Sequence, residues 1–297
     1  MNSDFQVTFG DAYLSDVPSL RTFIENVHPF FIDSDPKAFW RCEPNFRLLL
    51  QTPFLTQILN YELRCLAEDN SYIVEGGTKF SLAIASTPAW SLSVRLIGAS
   101  TATPRLLSNL QNTMIGVPEC ASPSIAYDQY EQTFIDGSLQ LNNDQRLIKH
   151  GRIFLSPGSV LHIRAGIDVG QFVDVDLTSI VFVLSSRPMM SLQWEYDLDT
   201  LLPRRVIAGD VRSSRIEFAT RLIAKMGNTS SLPQLWSLCR HQDHFVRWGA
   251  VRAIVAIDLD EGLRALEVAV SDIHPHVANA ARSAIPKVKA FLDTGSA

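Results

Sequence analysis

The chain has 297 residues, 46% of them hydrophobic and 19% charged, with a net charge of −5, so it can bury a core without disulfide or metal staples. The acidic balance argues against a dedicated nucleic-acid binder; only from Arg205 onward does it turn, with 12 Lys/Arg against 9 Asp/Glu. No apolar run reaches about 18 residues, so no membrane span is expected, and the opening MNSDFQVTFGDAYLSD lacks the basic and apolar stretches of a secretory leader.

Residues 1–78 read mainly as helix. The clearest segment places Thr52 as N-cap and Pro53 at the first helical position. Phe54, Leu55, Ile58, Leu59, Leu63 and Leu66 follow at spacings of three and four. From Lys79 the period shortens. KFSLAIAS, WSLSVRLIG, NTMIGV, SIAYDQYEQTFI, SLQL, RIFLS, VLHIRA, FVDVDL and SIVFVLSS are short alternating or β-branched runs broken by Gly, Pro, Asn and Asp. Strands at this spacing predict a sandwich or barrel over 79–186 rather than βαβ units. Residues 187–212, with two prolines and LPRR, read as a connection, and 213–297 as helical. Cys42, Cys65, Cys120 and Cys239 are far apart, with no C-x-x-C pair. That usage suits reduced thiols in a soluble cytoplasmic protein.

The last segment repeats itself. HFVRWGAVRAIVAID aligns with PHVANAARSAIPKVKA at an offset of 31 residues. Val246, Ala250, Ala253, Ile254 and Ile257 match Val277, Ala281, Ala284, Ile285 and Val288, one continuous helical stripe in each copy. A partner helix precedes each, in LPQLWSLCRH and LDEGLRALEVAVSD. Asp243 and Asp272 stand where an Asp can cap the following helix. The Asp, Val, then Arg-and-Ala pattern of DHFVRWGAVRAI resembles a HEAT repeat; in the second copy Ala278 stands where the Arg would be. The helix in RIEFATRLIAKMG resembles half of an earlier copy. Such pairs stack because one pair cannot bury its own apolar face. The resemblance implies a protein partner on the helices, or a helical buttress for the β domain. Arg240, His241, His244, Arg247 and Arg252 form the basic cluster there, too small for counterion-driven binding of nucleic acid.

The stretch FLSPGSVLHIRAG and the turn FIDGSLQL resemble the two motifs of the cupin superfamily. Gly158 is followed by five residues and then Arg164-Ala165-Gly166, where cupins carry Pro-x-Gly, and the following His position falls on Val169. Counting back from Gly137 puts Tyr130 (or Glu131) at the Glu position, and Ser124 and Ala126 at the two His positions. A second register through Gly151, Pro157 and His162 keeps one His. The resemblance implies an α+β chain: an antiparallel jelly roll with N-terminal helices and a C-terminal HEAT-type domain. It also implies a homodimer through the sheets and, with the ligand positions lost, no bound metal and no cofactor. Metal catalysis needs three or four converging ligands, and Asp174 and Asp176 read as a solvent face. His274 and His276 could ligate but lack a third ligand, and His28 reads as a core group.

By alternation Ser124, Ala126, Asp128 and Tyr130 share a face, as do His162 and Arg164 on the other motif strand. If these faces point inward, Asp128, Tyr130, His162 and Arg164 line a ligand pocket, with Tyr130 and His162 as acid/base candidates. An Arg there suits a small anionic ligand or an acidic peptide. The expectation is a metal-independent binding or scaffold protein. The alternatives are a metal-free acid/base enzyme of isomerase or cyclase type, and a metal-dependent oxygenase with nonstandard ligands.

Overall fold

A computed structural model of the chain describes residues 16–31, 36–69, 71–72, 77–78, 80–98, 106–119, 125–133, 144–173 and 179–295. Ser124, Gly137, Asp174, Asp176 and Cys120, and the predicted strand SLQL, lie outside the described residues. The chain divides into two compact units, Met1–Val206 and Ile207–Ala297.

Among the described residues the first unit begins with helices α1 (Pro18–Val27), α2 (Glu43–Leu50) and α3 (Phe54–Glu68). Proline at the first turn favours the start of α1 and of α2, because its missing N–H would be unpaired there anyway. Leu20, Phe23, Ile24 and Val27 make a buried stripe on α1. The start of α3 differs from expectation. Pro53 is the capping residue, and the Thr52 hydroxyl donates back to the Leu49 carbonyl at 2.8 Å instead of capping α3. Its buried line is Phe54, Ile58 and Glu62, with Leu59, Leu63 and Leu66 exposed. Glu62 tolerates burial because it accepts a hydrogen bond from Tyr72.

Twelve strands follow among the described residues: β1 (Gly77–Thr78), β2 (Ser81–Ser86), β3 (Trp90–Ile97), β4 (Leu106–Ser108), β5 (Thr113–Gly116), β6 (Ile125–Glu131), β7 (Ile148–Leu155), β8 (Val160–Ile163), β9 (Asp168–Val173), β10 (Ser179–Ser186), β11 (Leu192–Tyr196) and β12 (Pro203–Ala208). They form two sheets, ordered β1-β2-β3-β10-β5-β8 and β12-β11-β4-β9-β6-β7. The antiparallel pairs nest as β6–β7, β5–β8, β4–β9 and β3–β10, and successive pairs fall in alternate sheets. One long hairpin rolled up in this way is a jelly roll. The chain is thus α+β with two antiparallel sheets.

The middle of strand β10, Ile180–Leu184, is apolar because both of its faces are buried, and its serines stand at the ends. Phe182 and Leu184 join Leu92, Val94 and Met114 under the N-terminal helices, where Phe54 packs on Phe182 at 4.6 Å and Phe23 meets Trp90 edge-on at 5.9 Å. Val181 and Val183 face the second sheet and meet Ile125, Tyr127 and Leu155. Residues 187–212, expected as a connection, carry β11 and β12 instead. Trp194 and Tyr196 are buried, and Pro203 begins an edge strand, where a missing N–H costs nothing.

The second unit consists of α4 (Val211–Met226), α5 (Leu232–Leu238), α6 (His244–Ile257), α7 (Leu259–Ala269) and α8 (Pro275–Gly295). Asp210 caps α4 by accepting from the Ser213 N–H, so that helix begins two residues before the expected boundary, and Gly227 ends it at φ 65°. The matched stripes are buried together: Val246, Ala250, Ala253 and Ile254 with Val277, Ala281 and Val288. Asp258 caps α7. Asp243 precedes α6 without capping it, since its carboxylate takes the Ser213 hydroxyl at 2.7 Å.

Candidate functional site

Alternation along β6 settles which side chains enter the jelly roll, and it goes against the expected face. Tyr127 packs inward, edge-on to Phe172 at 5.2 Å, so Ala126, Asp128 and Tyr130 point to the outer face of their sheet. Outside, Tyr130 packs with Leu106, Val169, Trp194 and Tyr196 beneath residues of 187–202, and burial raises its hydroxyl pKa. Asp128 is paired in register with Arg152, which holds it through Nε at 2.8 Å and Nη2 at 3.2 Å. That guanidinium keeps the Asp128 carboxyl below the usual carboxylate range.

His162 is opposite Met114, hence on the outer face of the other sheet. Its Nε2 lies 2.9 Å from Glu43 Oε2, and its ring 5.0 Å from that of Trp40, so it ties the start of α2 to β8. Arg164 lies just past β8. Its Nε and Nη2 donate to Asp168 at 2.9 and 2.6 Å, and Nη2 also donates to Glu131 at 3.1 Å. Asp168 is 2% exposed, and Glu131 also contacts His150 at 3.1 Å. With two carboxylates on one guanidinium, the group carries no surplus positive charge for an anion. The four predicted site residues are therefore dispersed over two outer faces and one strand end, and no single pocket contains them. Ala126, Tyr130 and Val169, which the motif resemblance set at ligand positions, also face outward.

Between the sheets an apolar cluster, in which Ile115, Val117, Leu161, Ile163, Val181 and Val183 face Ile125, Tyr127 and Leu155, adjoins a polar stretch of β3, where Ser91, Ser93 and Arg95 stand opposite Ser185, Val183 and Val181. Thr113 and Ser185 add a hydroxyl pair at 3.4 Å. Gly170 is required beside Tyr127, because a Cβ there would lie 2.5 Å from the phenol oxygen and 2.6 Å from the Asp128 carbonyl. Among the described residues no group of three or more His, Cys, Asp and Glu could hold a metal ion. Burial pushes the Cys42 thiol up to about 12 and the Cys239 thiol up to about 11, which keeps both protonated and unreactive.

The helical unit holds two features that the sequence signalled only in part. A cleft of about 330 Å³ is lined by Trp248, Arg252, Val255, Ala256, Leu266 and Ala284, from α6, α7 and α8. Beside it in the chain, buried Arg247 donates through Nε and Nη2 to Asp272 at 2.7 and 2.6 Å and through Nη1 to the His241 and Gln242 carbonyls at 2.9 Å each. The arginine of the first copy thereby clamps the loop that starts the helix of the second. His244 joins His274 and His276, a meeting that the 31-residue offset hides because His244 aligns with Pro275.

No family model matches the chain, and no curated protein matches it. Among solved structures it is similar to the DMSP lyase DddQ from Ruegeria pomeroyi DSS-3, at 10% identity over 46% of this chain and 59% of that one, with a TM-score of 0.24. It is also similar to a sugar phosphate isomerase from a cupin superfamily from Silicibacter pomeroyi, at 14% identity over 42% and 71%, with a TM-score of 0.24. Vicilin from Solanum melongena matches at 15% identity over 45% and 34%, with a TM-score of 0.25. The chain spans less than two thirds of the lyase and of the vicilin. Likenesses of this size assign no family, and the jelly roll rests on the strand pairing itself. No helix among the described residues is long and apolar enough to cross a membrane.

Proposed function

We propose that the chain is a metal-independent binding or scaffold protein, a cupin-like jelly roll that carries a HEAT-type protein-interaction module. The observation that carries this reading is the contrast between the two units. In the jelly roll the centre of the inter-sheet space is an apolar cluster, Asp128 and Arg164 are each held in an ion pair, and His162 lies against Glu43. In the helical unit an open cleft offers an indole, aliphatic side chains and one guanidinium. Trp and Arg are the residue types that dominate protein-protein hot spots. Free Cys42, Cys65 and Cys239 suit a reducing, cytoplasmic setting.

The test is quantitative co-purification from the cognate cell extract, comparing the wild type with Trp248→Ala and Arg252→Glu. The same proteins should be enriched by the wild type and lost by both variants. Equal enrichment by all three removes the cleft from the reading. Stoichiometric iron, manganese or zinc in the purified protein would overturn metal independence.

A second reading, an anion-binding or acid/base barrel, would rest on Arg95 rather than on Tyr130, His162 or Arg164. Arg95 is paired with Val181 on the inner face and remains exposed. A phosphate or carboxylate that raises the melting temperature of the wild type but not of Arg95→Ala would support it.

A further inference from the structure

We propose that His244, His274 and His276 form an acid-sensitive latch between the two C-terminal helix pairs. His244 is the first residue of α6, His274 immediately precedes α8, and His276 is its second residue. The rings of His244 and His274 are stacked, with centroids 3.6 Å apart and planes within 6°. The His276 ring meets both edge-on, at 6.3 and 5.5 Å. Parallel imidazoles at this separation attract while neutral and repel once both carry a proton, by Coulomb's law in a partly desolvated site.

Everything nearby that bears charge has been placed by the fold. Arg247, one turn along α6, puts a fixed cation beside the stack, and the N-termini of α6 and α8 present the positive ends of two helix dipoles. Asp243 before α6 and Asp272 before α8 favour protonation, but Asp272 is already held by Arg247, and the Asp243 carboxylate accepts the Ser213 hydroxyl while the Asp243 backbone N–H donates to His241 Nδ1. The Nδ1 atom of His274 is buried without a hydrogen-bond partner, so a proton placed there would find no acceptor. The ring pair is thus built for the uncharged state. Consistent with that, burial first and the neighbouring imidazoles second lower the His244 pKa from 6.5 to about 4, and burial lowers that of His274.

The sign follows from linkage. A histidine whose folded pKa lies below its unfolded one binds more protons when released, so the latch is fully closed above about pH 6.5 and weakens as pH falls through about 4. The same junction carries the Arg247–Asp272 clamp, so opening the stack loosens the step from the first helix pair to the second.

The experiment is hydrogen exchange by mass spectrometry on the full chain with EDTA present, at about pH 7.5 and about pH 5, corrected for the intrinsic pH dependence of exchange. Peptides spanning 241–250 and 271–280 should lose about thirtyfold in protection at the lower pH, a factor of ten for each of the roughly 1.5 units between pH 5 and the unfolded pKa of 6.5, while peptides of β3 and β10 keep theirs. The double variant His244→Phe/His274→Phe keeps two stacking rings that cannot titrate and should flatten the response. Should that variant not fold, His274→Gln alone should reduce it. Equal protection of the wild type at the two pH values overturns the latch, as does an unchanged pH response in a folded variant.

Discussion

At Arg247 every guanidinium nitrogen is engaged, two on Asp272 and one on two backbone carbonyls, and both side chains of the pair are about nine-tenths buried. Arg247→Ala would leave the buried Asp272 carboxylate with only the His274 backbone N–H and would deprive two carbonyls of their guanidinium donor, and should destabilise the helical unit by about 3 kcal/mol in urea titrations. Arg164→Ala removes the guanidinium from the buried Asp168 carboxylate and leaves it the backbone N–H of residue 164. Because the Arg164 side chain is 48% exposed, water takes up part of the loss, and about 1–2 kcal/mol is expected in the jelly roll. The acid response of the helical unit should have two windows. Arg247 holds the Asp272 carboxyl below its usual 3.8, so that contribution is present above 3.8 and lost as pH falls below it, whereas the histidine contribution fades between 6.5 and about 4. In Asp272→Asn the lower window should disappear from a circular-dichroism acid titration and the upper one remain.

Glycines decide how closely the elements approach. Gly262 in α7 lies against α6 so tightly that a Cβ would stand 2.5 Å from the Val255 Cα, a backbone atom that cannot swing aside. Gly262→Ala should therefore cost the helical unit about 1–3 kcal/mol. At Gly249, inside α6, an added methyl would meet nothing within 4 Å, and Gly249→Ala should stabilise the same unit by about 0.5–1 kcal/mol through helix propensity alone. Measured side by side, the pair separates backbone packing from propensity. In the jelly roll Gly116 does the same service for α2. A Cβ there would lie 2.6 and 2.8 Å from the two terminal carbons of Leu50 and 3.0 Å from Phe46, side-chain ends that would have to shift, so the constraint is softer than at Gly262.

Two compact units, each with its own apolar core, should unfold as two cooperative blocks. Gly170→Ala, which drives a methyl into Tyr127 and the Asp128 carbonyl, should lower the protection of β4, β6 and β9 and leave α6 and α7 unchanged in hydrogen exchange. Parallel loss in both would show one cooperative block instead.

The change of period at Lys79, the short alternating strands and the 31-residue repeat were all legible in the amino-acid order, because periodicity is local and each element carries its own apolar stripe. So were the helix pairs at the end of the chain, down to Val246 and Val277 as matched core residues. The inward face of β6 was not. Asp128 and Tyr130 alternate with Tyr127 and Gln129, and both sets contain polar and aromatic groups, so period two alone is ambiguous by one residue and a slip of one exchanges the faces. What resolved it was the covering of the outer face by Trp194, Tyr196 and the segment after β10, which the prolines had made look like a linker. The partners of Arg164, Arg247 and His244 were likewise out of reach. Glu131 lies 33 residues from Arg164 and Asp272 lies 25 from Arg247, and such pairings exist only once strands have rolled and helices have stacked.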